Sequence, residues 1–147
     1  MSQNGHADQV RHMLRTKQIL ILEHDDATRE QLHAILEPLG YAVLDVERAK
    51  APAQAIADRA IDLVITDFFM AGAFAAGDGT TWSVQEIRKR QESVRVLALS
   101  GAWRRSAEPA AEAALRIGAD LVIGKPVERT ELAKAVLALI GGPLDIG

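Results

Sequence analysis

Five short apolar runs, each followed by a stretch with helical periodicity, constrain the fold of this chain more than any other feature. Runs of this length, rich in branched apolar residues, are typical of strands that a sheet buries on both faces. Strands that alternate with helices form a parallel sheet, and right-handed crossovers place helices on both of its faces. The pattern therefore predicts an α/β fold, a three-layer sandwich around a five-stranded parallel sheet. The predicted strands cover residues 19–22, 41–46, 61–66, 95–99 and 120–124.

The helical segments are predicted from apolar residues at spacings of three and four, and from the residues that end them. The first helix closes at Gly40, a residue type common at helix C-termini, and Asp26 is its expected N-cap. The third is expected to carry Trp82, and the last covers Glu128–Ile140. The remaining predicted helices cover residues 51–60 and 108–117.

Length and composition indicate one ordinary globular domain, since 147 residues with 48% hydrophobic side chains suffice for a single core. The net charge of −3 argues against a dedicated nucleic-acid binder, and the lack of cysteine excludes disulfides and thiolate metal sites. No apolar stretch has membrane-spanning length and no signal peptide is recognisable, so we expect a cytoplasmic protein without membrane association. The expected organisation is an N-terminal tail or short helix at 1–16, the domain at 17–141 and a C-terminal tail at 142–147, with no output domain after it.

Three chemically useful side chains follow the ends of predicted strands. Asp67 follows the third strand, Ser100 the fourth and Lys125 the fifth. In open α/β sheets, binding and catalysis occur at the carboxyl ends of the strands, where these residues would meet. An acidic stretch, Glu23-His24-Asp25-Asp26, follows the first strand and would join them there.

These residue types together suit the acceptance of a phosphoryl group. A carboxylate that attacks phosphorus needs positive charge to neutralise the phosphoryl oxygens. Magnesium supplies that charge through oxygen ligands, and a lysine supplies a second point charge. A small hydroxyl can hydrogen-bond a further oxygen. Asp67, Lys125 and Ser100 fit the roles of acceptor, cation and hydroxyl, and carboxylates after the first strand would complete a metal site.

The sequence resembles the receiver domain of bacterial two-component response regulators, in order and at near-family spacing from about Lys17 to Ile140. Each motif is weak alone, but the ordered set is specific. The matching motifs are Ile19-Leu20-Ile21-Leu22-Glu23 with Arg29, Asp62-Leu63-Val64-Ile65-Thr66-Asp67 with Met70, Asp78-Gly79, Val96-Leu97-Ala98-Leu99-Ser100-Gly101-Ala102, Gly118-Ala119-Asp120, Lys125-Pro126 and Glu131-Leu132.

The resemblance implies a flavodoxin-like sheet with strand order 2-1-3-4-5, and a site in which Asp67 is the phosphoacceptor. Lys125, preceding a typically cis bond to Pro126, would be the active-site lysine and Ser100 the switch hydroxyl. Magnesium would bind Glu23, Asp67 and the backbone carbonyl of Phe69. The implied partners are a histidine kinase or phosphotransfer protein and a downstream protein target, and the implied state is a monomer or weak dimer. Beyond autodephosphorylation no enzymatic activity is implied.

The sequence departs from the family at His24, where the family places a second metal-binding carboxylate. Three interpretations stay open: metal binding has been lost, a charged His24 partly replaces magnesium, or His24 binds a softer metal such as Mn²⁺ or zinc with Glu23 and Asp67. Asp25 is an alternative ligand whose register is one residue late.

Three further departures surround the expected pocket. The segment Ala71–Gly79 is four residues longer than the family's and is expected to be a flexible insertion, a lid or a partner contact. Val122 and Val127 stand where aromatic residues are usual, so the common aromatic switch is missing or moved. Arg104-Arg105 form a small basic spot, either a solvated face or a docking patch.

Two functions compete. The first is a stand-alone, phosphorylated receiver in a phosphorelay, carrying an aspartyl phosphate at Asp67. The second is a pseudo-receiver that binds proteins without phosphorylation, because His24 replaces a metal-ligating aspartate. A haloacid-dehalogenase-type phosphatase would need a carboxylate where Phe69 stands, and a flavodoxin would need a phosphate loop after the first strand.

Overall fold

A computed structural model describes residues 15–23, 25–45, 60–67, 73–75, 81–83, 88–89, 91–101 and 118–145 of the chain. Several predicted features lie outside the described residues. They are the helix at 108–117, Arg104-Arg105, all but the last residue of the helix at 51–60, and all of the Ala71–Gly79 segment except residues 73–75. The strands are β1 (Arg15–Thr16), β2 (Gln18–Leu22), β3 (Ala42–Asp45), β4 (Leu63–Asp67), β5 (Ala73–Ala75), β6 (Thr81–Ser83), β7 (Arg95–Ser100), β8 (Leu121–Gly124) and β9 (Leu144–Asp145). The helices are α1 (Asp26–Leu36), which continues into a 3₁₀ turn (Glu37–Leu39), and α2 (Arg129–Ile140).

The main sheet has five parallel strands in the order β3-β2-β4-β7-β8. Counted along the chain, that order is second, first, third, fourth, fifth, so the predicted topology is confirmed. Its central strand β4 is buried at every residue. Neighbouring strands are parallel because each crossover returns the chain to the amino end of the sheet before the next strand begins.

The core follows from the continuous apolar runs. Alternate residues of the three central strands pack with α1 and α2 in one cluster, and the residues between them are also buried. Because both sets are buried, the sheet is covered on both faces, as the lack of polar alternation predicts. The cluster contains Ile19, Ile21, Leu32, Ile35, Leu36, Tyr41, Leu63, Ile65, Leu97, Leu99, Ile123, Val127, Leu132, Ala135 and Val136.

The ends of α1 are set by local hydrogen bonds. Its N-cap is Asp25, whose carboxylate accepts from the amide of Thr28 at 3.0 Å. The prediction that Asp26 caps this helix is therefore wrong, because Asp25 has the extended backbone that a cap needs and Asp26 is already helical. At the other end Gly40 adopts a φ of 102°, as expected of a glycine that closes a helix.

The helix predicted to carry Trp82 does not include that residue. Residues Thr81–Ser83, with Trp82, form β6, which pairs antiparallel with β5 from the long segment after Asp67. Threonine and tryptophan favour strands, and this preference outweighed the helical spacing that Trp82 suggested. The later residues Arg88 and Lys89 are helical.

A second small sheet joins the two ends of the described chain. Strand β1 pairs antiparallel with β9, with Arg15 opposite Asp145 and Thr16 opposite Leu144. The amide of Lys17 donates to the carbonyl of Pro143 at 2.8 Å. The domain boundaries at 17 and 141 stay a prediction, but this pairing favours a folded unit that includes residues 15–16 and 144–145. Within the described part of the chain, no helix is long and apolar enough to span a membrane.

Candidate functional site

Four residues singled out from the sequence lie at the carboxyl ends of the parallel strands. Asp67 is the last residue of β4, Ser100 is the last of β7, and Lys125 directly follows β8. Glu23 directly follows β2, the neighbour of β4. Since all these strands are parallel, their carboxyl ends meet at this edge, where ligands of open α/β sheets bind.

Lys125 joins the two carboxylates of the site. Its Nζ lies 2.8 Å from Oε2 of Glu23 and donates to Oδ2 of Asp67 at 3.2 Å. The peptide bond between Lys125 and Pro126 is cis, as the resemblance implied. The structure thus brings together three of the predicted site residues through direct contacts.

Burial and charge set the protonation of these groups. Burial raises the pKa of the Glu23 carboxyl above 4.5, while its bonds to Lys125 and to the Asp25 amide oppose that rise. Burial lowers the pKa of the Lys125 ammonium, but Glu23 and Asp67 outweigh it and raise that pKa above 10.5. Lys125 is therefore a permanent positive charge beside Asp67, whose side chain is almost completely buried.

Ser100 and Lys125 are connected through the backbone. The amide of Lys125 donates to the carbonyl of Ser100 at 2.7 Å. The Ser100 hydroxyl is buried and donates to the carbonyl of Ile123 at 3.5 Å, a long bond that is easily exchanged for a better acceptor. The serine is thus next to the site, with its hydroxyl directed at β8.

The carboxylates of Glu23 and Asp25 after β2 accept local hydrogen bonds. Oε1 of Glu23 accepts from the amide of Asp25 at 3.0 Å, and Oδ2 of Asp25 accepts from both the amide and the hydroxyl of Thr28. The carboxylate of Asp25, an alternative metal ligand from the sequence, is therefore engaged in capping α1. His24 and Phe69, the other predicted ligands, lie outside the described residues.

The donor set suits a hard divalent cation. Glu23 and Asp67 offer carboxylate oxygens at the same edge, and Mg²⁺ binds proteins through one or two carboxylates while it keeps several waters. Among the residues that the structure describes, no group of three or more histidine, cysteine, aspartate or glutamate side chains is arranged to hold a metal. The two carboxylates at this end of the sheet match the number that Mg²⁺ uses in proteins.

Sequence reasoning missed two residues near the site, Asp45 and His33. Asp45 is the last residue of β3 and is buried, with its Oδ2 3.2 Å from Nε2 of His33 and 3.3 Å from Nε of Arg29. In the sequence Val46 follows Asp45, so Asp45 did not mark the end of its predicted strand as Asp67 did.

Comparison with known proteins identifies the same family that the sequence motifs resemble. The family model of the response regulator receiver domain matches residues 19–137. The chain is 29% identical over 141 residues to the phosphate regulon transcriptional regulatory protein PhoB of Pseudomonas aeruginosa, covering 89% of this chain and 58% of PhoB. It is 31% identical over 134 residues to the aerobic respiration control protein ArcA of Escherichia coli, covering 91% of this chain and 52% of ArcA. The chain thus spans little more than half the length of these relatives.

A solved structure shows the same fold. It is the receiver domain of the sensor histidine kinase PA1611 from Pseudomonas aeruginosa, with a magnesium ion coordinated in its active-site cleft. The match has a TM-score of 0.61 and 21% identity, and it covers 87% of this chain and 100% of that one. With the family model matching most of its length, this chain belongs to the response regulator receiver domain family.

Proposed function

We propose that this chain accepts a phosphoryl group on Asp67 from a histidine kinase or phosphotransfer protein and signals to a protein partner through a conformational change. The observation that carries the proposal is the contact of Lys125 Nζ with Asp67 Oδ2 at 3.2 Å, in a buried site that also holds Glu23. A nucleophilic carboxylate next to a fixed ammonium is what phosphoryl transfer requires.

In the proposed reaction a carboxylate oxygen of Asp67 attacks phosphorus. A new O–P bond forms, and the bond from phosphorus to the donor breaks with its electron pair leaving on the donor. Lys125 remains protonated and stabilises the phosphoryl oxygens. Glu23 and Asp67 would hold Mg²⁺, which supplies further charge neutralisation to those oxygens. The Ser100 hydroxyl exchanges its long bond to Ile123 for a phosphoryl oxygen and couples the modification to β7 and β8.

The remaining attributes follow from this role. We propose that the protein acts in the cytoplasm with Mg²⁺ as its cofactor, and that it catalyses nothing on a separate substrate beyond loss of its own phosphoryl group. The proposed partners are proteins, and we expect a monomer or weak dimer.

The test is the intact mass after incubation with a small phosphodonor, with and without Mg²⁺. We expect the wild type to gain one phosphoryl group in a Mg²⁺-dependent manner and Asp67→Asn to gain none. Asp62→Asn is the matched control, since it makes the same change just before the opposite end of the same strand and should still be phosphorylated. Phosphorylation of Asp67→Asn at the wild-type rate would refute the assignment.

A second candidate, a pseudo-receiver that binds proteins without phosphorylation, is favoured by two observations. The sequence has His24 where a second metal-binding carboxylate is usual, and the neighbouring carboxylate of Asp25 caps α1. No mass gain with Mg²⁺ or Mn²⁺ would support this candidate. His24→Asp should then restore the mass gain if position 24 faces the cation.

A further inference from the structure

A buried cluster of Arg29, His33 and Asp45 lies beside the site and has no part in the proposed reaction. Asp45 ends β3, and its side chain is only 2% exposed. Its Oδ2 faces Nε of Arg29 at 3.3 Å and Nε2 of His33 at 3.2 Å. The other ring nitrogen of His33 lies 2.5 Å from Oε1 of Glu37. This Asp45 cluster connects the end of β3 to two turns of α1.

Arg29 extends the Asp45 cluster to the site. While Nε of Arg29 faces Asp45, its Nη1 donates to the backbone carbonyl of Glu23 at 3.2 Å. Its Nη2 pairs with Asp26 in the first turn of α1. The guanidinium therefore bridges the end of β3 and the residue whose carboxylate contacts Lys125.

The geometry of the guanidinium makes this bridge directional. Its donors lie in one plane at fixed angles, so a contact at Nε determines where Nη1 points. A buried carboxylate keeps its charged partners close, because separating them would leave an uncompensated charge out of water. Asp45 thus holds Arg29 in one orientation, and Arg29 in turn holds the carbonyl of Glu23.

Helix α1 also holds the lysine side of the site. Nε2 of Gln31 donates at 2.8 Å to the carbonyl of Val127, two residues after Lys125. The same helix therefore anchors the backbone on both sides of the contact between Lys125 and Glu23, which is 2.8 Å long. A shift of the Glu23 carbonyl would change this contact directly.

We propose that Asp45 and Arg29 are positioning residues of the phosphoryl-accepting site, which fix the backbone of Glu23 so that its carboxylate meets Lys125 and a divalent cation. The inference rests on the proposed function, because its expected consequence is a change in the cation affinity of that site. Residues that orient metal ligands through hydrogen bonds change metal affinity when they are replaced, with less effect on the chemistry of a saturated site.

The first test separates cation affinity from the maximal rate in Asp45→Asn, which keeps the volume but not the charge. We expect the Mg²⁺ concentration for half-maximal phosphorylation to rise by about tenfold. The rate at saturating Mg²⁺ should stay within about twofold of the wild type. Arg29→Lys should show the same split, because lysine keeps the charge but cannot reach both Asp45 and the Glu23 carbonyl.

Arg15→Met is the matched control, since it also removes an arginine–aspartate pair, but at the opposite edge of the sheet. Arg15 donates to both carboxylate oxygens of Asp62, at 2.7 and 3.0 Å. This variant should lose stability and keep the wild-type Mg²⁺ dependence. Unchanged Mg²⁺ dependence in Asp45→Asn, or an equal shift in Arg15→Met, would overturn the inference.

Amide hydrogen exchange of the metal-free protein tests the same inference without phosphorylation. We expect Asp45→Asn to exchange faster than the wild type in a peptide covering residues 20–28. In a peptide covering β7, the variant and the wild type should exchange at the same rate. Wild-type exchange in the first peptide would contradict the positioning role. If the wild type accepts no phosphoryl group, the proposed function fails, and this exchange measurement still decides whether Asp45 fixes Glu23.

Discussion

Lys125 is a single ammonium shared by two buried carboxylates. Its ammonium contacts a carboxylate oxygen of Glu23 and one of Asp67, and both carboxylates are poorly solvated. The raised pKa of Glu23 shows that burial is the larger influence there. Carboxylate oxygens are ligands that Mg²⁺ prefers, so the Mg²⁺ dependence of phosphorylation is the natural measurement.

At the opposite edge of the sheet, Tyr41 offers a prediction about pH. Its hydroxyl donates to the carbonyl of Gly141 at 2.6 Å, and burial raises the pKa of the phenol above 10.0. The neutral phenol is therefore favoured by folding, so its stabilising contribution is complete below pH 10.0 and is lost as pH rises through the folded-state pKa.

Tyr41→Phe should lower the free energy of unfolding at neutral pH by about 1 kcal/mol. The loss of stability in alkali should also be shallower in the variant. Since Tyr41 is the only tyrosine of the chain, its titration can be followed directly by tyrosinate absorbance. A phenol that ionises at its ordinary pKa would contradict the prediction.

At the scale of single residues, the sequence indicated Asp67, Ser100 and Lys125 because each follows the last apolar residue of a strand. Asp45 was missed for a physical reason. The apolar pattern continues past it to Val46, so the predicted strand hid the aspartate in its interior. The contact partners of Asp45 lie on a helix, and no local sequence pattern predicts an ion pair between a helix and the end of a strand.

Among the elements, α1 and its 3₁₀ turn end at a closely packed glycine, Gly40. Gly40 has a φ of 102°, a conformation that a side chain disfavours. A Cβ added at Gly40 would also lie 3.1 and 3.3 Å from two side-chain carbons of Pro143. A side chain at Gly40 would therefore need a disfavoured backbone conformation and a shift of Pro143 by a few tenths of an ångström.

Gly40→Ala is expected to lower the free energy of unfolding by about 1–2 kcal/mol, measured by urea denaturation. Gly142→Ala is the matched control, because a Cβ there has no heavy atom within 4 Å. Its effect should be within about 0.5 kcal/mol. Equal destabilisation by the two changes would show that the conformation and contacts of Gly40 are not responsible.

Long, strongly patterned elements were predictable, and short ones were not. The helix over Glu128–Ile140 appears as α2 over Arg129–Ile140, with Glu128 as its N-cap. By contrast, β5 and β6 have three residues each, too few for a hydrophobic period to develop. The N-cap of α1 was predicted one residue too late, at Asp26 instead of Asp25. The two adjacent aspartates have the same side chain, and only their backbone conformations distinguish them.

In the whole molecule, the site and the pairing of β1 with β9 lie at opposite edges of the main sheet. Arg15 pairs with Asp62 just before β4, whereas Asp67 ends that same strand. Tyr41 and Lys17 add hydrogen bonds to the segment 140–143. Hydrogen bonds between distant parts of the chain therefore hold the amino ends of the strands, independent of the chemistry at their carboxyl ends.

Removing residues 144–147 should therefore separate stability from function. Loss of the β1–β9 pairing is expected to lower the free energy of unfolding by about 1–2 kcal/mol, from the hydrogen bonds lost. The rate of phosphorylation and its Mg²⁺ dependence should not change. Removal of residues 146–147 alone keeps β9 and serves as the control. A truncated protein with full stability would mean that the pairing contributes little.

The main sheet was predictable because each of its strands carries a continuous apolar run, and the parallel crossovers leave few alternative topologies. The pairing of β1 with β9 could not be predicted, since each strand has two residues and its partner lies at the far end of the chain. Polar residues such as Arg15 and Thr16 gave no sign of it. The surrounding sheet, rather than their own sequence, brings these segments together.

The pairing of β1 with β9 also has a consequence for engineering. Arg15 and Asp145 are opposite each other in the register, so a short linker could join these two positions of the chain. New termini could then be opened elsewhere on the surface without separating the strands that carry Asp67 and Lys125. The fold is therefore a candidate scaffold for circular permutation, in which a reporter is inserted close to the site while the original ends are sealed far from it.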